Sequence, residues 1–142
     1  MTPPDTDLTD DRSVRRLLRT ALPPLRGDAA ALLVPACDGR SDTGVLCLVD
    51  DLPETATAQE ARLCVHVFAS AACMAPRAPG LLVAVQRRGE AGLREADVLW
   101  VQAARDACGA LGVALLGVWL AVERQTPMRL DAPLPVTAET TA

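Results

Sequence analysis

Two stretches of helical periodicity, each leading into an apolar run of strand length, constrain this chain more than any other feature. The first opens at Thr57-Ala58-Gln59-Glu60, a capping box in which the Thr and Glu side chains each satisfy a backbone N–H of the first turn. It carries Leu63, Cys64, Val67, Phe68, Ala71 and Ala72 as a stripe, runs to about Met74 and stops before Pro76. Gly80–Gln86 (GLLVAVQ) follows as a strand, and Arg87–Gly92 reads as a polar loop. The second helical stretch spans Arg94 to Leu111, with Ala96, Leu99, Trp100, Ala103, Ala107 and Leu111 facing inward. Gly112 is placed to close it in the left-handed conformation, and Val113–Val122 reads as the next strand. A helix between two strands is a crossover, so parallel pairing is expected in this half.

The N-terminal half adds a helix and a hairpin. Thr9 is expected to cap a helix whose Asp10 and Asp11 suit the positive end of the dipole. Val14, Leu17, Leu18 and Ala21 share one face of it, and Pro23-Pro24 ends it. Ala29–Ala36 and Gly44–Asp50 are apolar runs joined by CDGRSDTG, which predicts a hairpin with a loop longer than two residues. Both runs are nearly continuous in apolar residues, as in strands covered on both faces. Pro127–Leu130 could add a short edge. The order α-β-β-α-β-α-β defines an α/β class chain with a mixed sheet and helices packed on its faces.

At 142 residues one domain is expected, over residues 9–130, with 1–8 and 131–142 disordered. Half the residues are hydrophobic, enough for a domain of this size to bury roughly 68–70% of its unfolded surface. No apolar run approaches the ~20 residues needed to span a bilayer. MTPPDTDL lacks the basic start and apolar stretch of a secretory signal.

The missing residue types exclude whole chemistries. There is no Lys, Ile, Asn or Tyr, and all 14 basic residues are Arg, a pattern that GC-rich coding explains. Without Lys there is no phosphate-loop lysine and no Schiff base. With His66 as the single histidine, no site needing two imidazoles forms within one chain. The net charge of −4 and the scatter of arginines, with few aromatics between them, make nucleic acid an unexpected partner. Cys37, Cys47, Cys64, Cys73 and Cys108 are irregularly spaced, form no C-x-x-C and sit in apolar stretches. They read as buried, reduced core residues, which fits the cytoplasm; a ligand or nucleophile role is the competing reading.

Other candidates each have a bland alternative. His66 lies two residues from Cys64 and from Phe68 on the helix, positions that point apart, so a Cys–His pair gives way to a partly exposed structural histidine. Asp50-Asp51 could hold magnesium through carboxylates and waters, or form a solvated turn before Pro53. Arg87-Arg88-Gly89 could cradle an anion, or be an exposed basic turn without a phosphate-loop pattern. The deaminase pattern H-x-E with P-C-x-x-C is absent.

Ala84–Asp97 (AVQRRGEAGLREAD) resembles the metal-site segment of the RadC-like JAB/MPN family, a strand ending in H-x-H-P-S-G, a loop, then S-x-x-D opening a helix. Without a gap, the family's histidines fall on Ala84 and Gln86, its glycine on Gly89, its serine on Arg94 and its ligand aspartate on Asp97. The register continues to Gly112 and the strand after it, upstream Leu48-Val49-Asp50 looks similar, and the likeness covers about residues 44–130. The resemblance implies a JAB/MPN-like fold whose zinc site is degenerate. An open catalytic zinc needs three protein donors, and of these only Asp97 is retained. No metal, cofactor or catalytic residue is therefore expected. Arg94, three residues before Asp97, could supply the charge the zinc once supplied, or both could be ordinary first-turn residues at the surface.

By resemblance, the leading expectation is a non-catalytic scaffold or protein-interaction module, with a protein partner or a second copy of itself. The alternative is a small-ligand binder or metal-independent enzyme of another α/β class using Asp50, Asp51, Asp97 or a cysteine. A third, a DNA-associated accessory protein, follows from the resemblance alone.

Overall fold

The computed structural model describes residues 7–22, 30–38, 41–52, 57–74, 80–88, 94–122 and 125–131. Helix α1 (Asp11–Ala21) starts one residue later than Thr9 would place it. Asp10 is its cap, accepting hydrogen bonds from the Ser13 N–H at 3.3 Å and the Ser13 hydroxyl at 2.7 Å, while Thr9 donates instead to the Asp7 carboxylate. Its apolar face buries Val14, Leu17 and Leu18.

Strands β1 (Ala30–Asp38) and β2 (Ser41–Leu52) form an antiparallel hairpin. They extend into the polar stretch expected to be loop. Cys37 pairs with Asp42 and Asp38 with Ser41, leaving residues 39–40 between the strands. Backbone hydrogen bonding thus overrides the polar composition of the connection. Helix α2 (Ala58–Ala72) has the expected capping box, Glu60 N–H to Thr57 Oγ1 at 3.1 Å and Thr57 N–H to Glu60 Oε1 at 3.0 Å. Strand β3 (Gly80–Arg87) leads to α3 (Glu95–Leu111), then to β4 (Ala114–Val122) and the two-residue β5 (Met128–Arg129). Gly112 closes α3 at φ 69°, the left-handed conformation that glycine adopts without Cβ strain.

The sheet order is β2-β1-β3-β4-β5, with β3 and β4 parallel across the α3 crossover and the other neighbours antiparallel. Alternation along the strands sorts side chains to two faces. Leu33, Leu82, Ala84 and Trp119 turn toward α1 and pack with Leu8, Val14, Leu17 and Leu18. Leu32, Val34, Val83, Val85 and Val118 turn toward α2 and α3 and pack with Val65, Trp100, Ala104 and Cys108. The molecule is a helix–sheet–helix sandwich. β3 lies between β1 and β4 with every residue buried, as its unbroken apolar sequence requires. Gly117 leaves room for the indole of Trp119, whose Nε1 would lie 2.9 Å from a Cβ placed there. No helix among the described residues is long and apolar enough to cross a membrane.

Three expectations change. The apolar stripe assigned to the inward face of α2 is divided: Ala61, Val65 and Ala69 are buried, Cys64, Phe68 and Ala72 pack beside them, and Leu63, Val67 and Ala71 face solvent. Two small alanines let the helix sit close to its neighbours, and apolar residues circle too much of α2 for periodicity to select one face. β2 is an edge strand with Cys47 and Leu48 exposed, so its apolar run does not mark two-sided cover. Packing and hydrogen bonding also reach one residue past each end of 9–130. Leu8 is a core residue, and Asp131 Oδ1 accepts from the Val118 N–H at 2.8 Å and from Arg129 Nε at 3.0 Å. Residues 1–6 and 132–142 lie outside the described residues.

Candidate functional site

Of the four positions aligned with a zinc site, Asp97 is the one with chemistry, and its setting is closed. It occupies the third position of α3 and is 1% exposed. Arg87, the last residue of β3, reaches it with two parallel bonds, Nε to Oδ1 at 3.1 Å and Nη2 to Oδ2 at 3.0 Å. The backbone N–H of Arg94, the extended residue before the helix, donates to Oδ2 at 2.9 Å. Arg87 Nη1 also donates to the Arg88 carbonyl at 3.2 Å. A buried carboxylate held by a guanidinium fork and a helix-end N–H is a strong, directional arrangement. It ties the end of β3 to the start of α3.

The positive charge beside Asp97 therefore belongs to Arg87, which extends the strand past the predicted end at Gln86. Arg94 contributes its main chain. Sequence spacing did not reveal this pair, although Val83, Val85 and Arg87 share one face by strand alternation and that face is the one α3 covers.

Ala84 and Gln86 lie on the other face. Ala84 pairs with Leu33 and packs in the α1-side core, and alternation puts Gln86 on that same side. The sheet thus separates them from Asp97. Zinc holds its donors within about 2.0–2.3 Å of one point, so these positions do not frame a common cation site in this arrangement. Gly89 lies outside the described residues, and Gly112 stands at the opposite end of α3 from Asp97.

The remaining candidates are dispersed. Asp50 and Asp51 lie within β2 at a register shift, between the Leu32–Val49 and Ala30–Leu52 pairs, so they sit in an irregularity of the strand and not in a turn after it. Their side chains lie outside the described set. His66 is exposed on α2, with Nδ1 3.3 Å from Ser70 Oγ. Cys108 is buried, Cys64 half-buried, and Cys47 and Cys73 exposed, which corrects the expectation of uniformly buried thiols; the Cys37 side chain lies outside the described set. Burial pushes the Cys64 thiol up, and burial with the neighbouring Cys73 pushes Cys108 up to about 11, the opposite of what a nucleophile needs. Arg62, His66, Asp106, Ala107 and Ala110 line an open groove of about 350 Å³ between α2 and α3. Its Arg62–Asp106 contact is loose, at 3.8 Å. Among the described residues no three His, Cys, Asp or Glu side chains gather around a metal-sized point.

No protein-family model, curated protein or solved structure matches the chain.

Proposed function

We propose that this chain is a non-catalytic domain that acts through protein contact, a degenerate relative of the RadC-like JAB/MPN domains. The carrying observation is the state of Asp97. Both of its oxygens are bonded, to Arg87 and to the main chain of Arg94, so the retained carboxylate serves the fold. A contact surface is available on α2 and the turn after it, where Leu63, Val67 and Met74 are 61%, 65% and 84% exposed. Large apolar side chains clustered on an outer face are typical of interaction sites. The proposed descent from the JAB/MPN family is supported by the ungapped register of Gly89, Asp97 and Gly112 together with the order of elements, and the scaffold role is carried over from that resemblance.

The test is metal analysis of the purified protein, combined with an isopeptide cleavage assay with and without chelator. Substoichiometric zinc and no cleavage are expected. One zinc per chain, or cleavage abolished by chelator, overturns the reading. The groove between α2 and α3 is the one observation favouring the small-ligand alternative. That alternative gains support from a compound that raises the melting temperature of wild type but not of His66→Ala, and fails if a screen yields none.

A further inference from the structure

Arginines that look scattered along the sequence become a surface on α1. Arg12, Arg16 and Arg19 recur at i, i+4 and i+7, which places them on one side of the helix, and all three are exposed. The opposite side is occupied by Val14, Leu17 and Leu18, buried against the sheet. From Asp10 to Arg19 the chain carries four arginines against two aspartates, within a protein of net charge −4. Neither aspartate neutralises the stripe. Asp10 caps the helix, and Asp11 pairs with Arg129 at 3.3 Å. Arg15 is drawn aside, donating to the Pro127 carbonyl and lying 5.5 Å over the Trp119 ring. Among the described residues no carboxylate meets the guanidinium of Arg12, Arg16 or Arg19, and the one side-chain contact of the three is a 3.4 Å bond from Arg19 to the Thr126 hydroxyl.

Like charges one turn apart destabilise a helix, and of the three only Arg19, in the last turn, is favoured by the helix dipole. That the residues are arginine carries no weight, because every basic residue of this chain is arginine. Their alignment carries the argument. We infer that the outer face of α1 is a docking surface for an acidic segment of a partner protein, with carboxylates at matching helical spacing. Guanidinium and carboxylate form paired, directional bonds, and the stripe presents three in a line.

Two other anionic partners fit less well. Single-stranded nucleic acid uses aromatic platforms between its basic contacts. Here Trp100 and Trp119 are buried and Phe68 lies on α2, across the sheet. An amphipathic helix anchors to a membrane by inserting its apolar face, and that of α1 is already packed, which leaves three charges alone to hold an anionic leaflet. The inference is independent of the closed site at Asp97. It concerns the opposite side of the sheet, so it can fail while the non-catalytic reading stands.

The probe is a synthetic, fluorescently labelled helical peptide with Glu at i, i+4 and i+7, titrated with the full chain at low and physiological salt. Exposed ion pairs imply a loss of roughly 1.5- to 5-fold in affinity for each single Arg→Ala variant. The triple variant Arg12→Ala, Arg16→Ala, Arg19→Ala should lose on the order of 10-fold or more, with an unchanged circular dichroism spectrum. The triple Arg→Glu variant should bind a peptide carrying Arg in place of Glu. Weakening is expected as the Debye length falls from about 30 Å at 0.01 M to about 8 Å at 0.15 M salt. Absence of peptide binding at low salt, or equal binding by the triple Ala variant, overturns the inference. So does tighter stripe-dependent binding of a single-stranded oligonucleotide or of phosphatidylserine vesicles. Should the triple Ala variant unfold, Arg→Gln at the same three positions provides the comparison.

Discussion

The Asp97 carboxylate shows how one residue can look like a remnant of catalysis and work as a structural clamp. Removing one partner of a buried ion pair leaves the other charge desolvated, which costs about 3–5 kcal/mol. Asp97→Ala is therefore expected to lower stability in that range, because Arg87 stays behind at 6% side-chain exposure. Arg87→Met is expected to cost less, since the Arg94 N–H still supports the carboxylate. Replacing both with apolar residues should cost less than the two single changes added together. Urea unfolding of the four members of this double-mutant cycle measures the coupling. Additive losses would mean that the pair does not act as a unit. Arg87→Lys would not rescue the site, since an ammonium cannot reproduce the two parallel bonds.

At the scale of the helices, two carboxylates cap their starts. Asp10 is held below its ordinary value, chiefly by the Ser13 hydroxyl, and Glu60 by the backbone N–H of Thr57 and then the Thr57 side chain. Both release protons more readily when folded, so the unfolded chain binds more protons across the acid range. Stability contributed by these caps is present above about pH 4, near the ordinary Asp and Glu values, and is lost as pH falls through the lower folded values. The melting temperature should be flat above about pH 5 and fall below about pH 4. Asp10→Asn and Glu60→Gln should each flatten that acid slope in a pH series of thermal melts. A slope unchanged in both variants would remove the caps as its cause.

The molecule as a whole presents two unlike surfaces on opposite sides of one sheet, an apolar stripe on α2 and a basic stripe on α1. The proposed scaffold role would place partners on both sides of the sheet. Exposed positions away from caps and networks usually change stability by no more than about 0.5 kcal/mol. Leu63→Asp with Val67→Asp should therefore leave the melting temperature nearly unchanged while reducing any concentration-dependent association seen by sedimentation velocity. A large loss of stability would show that the α2 face supports the fold instead.

Period and punctuation were enough to read the three helices, the main strands, their order and the mixed sheet, because turns, caps and hydrophobic alternation act over a few residues. Thr57 with Glu60 and Gly112 were legible for that reason. Which side of α2 would be buried, the meeting of Arg87 with Asp97, and the separation of Ala84 and Gln86 from Asp97 were settled by packing. Those outcomes depend on which face of a strand a residue takes and on what crosses above it. A one-residue change of strand register reverses the facing, so spacing along the chain could bring the aligned positions close in sequence while the sheet held them apart.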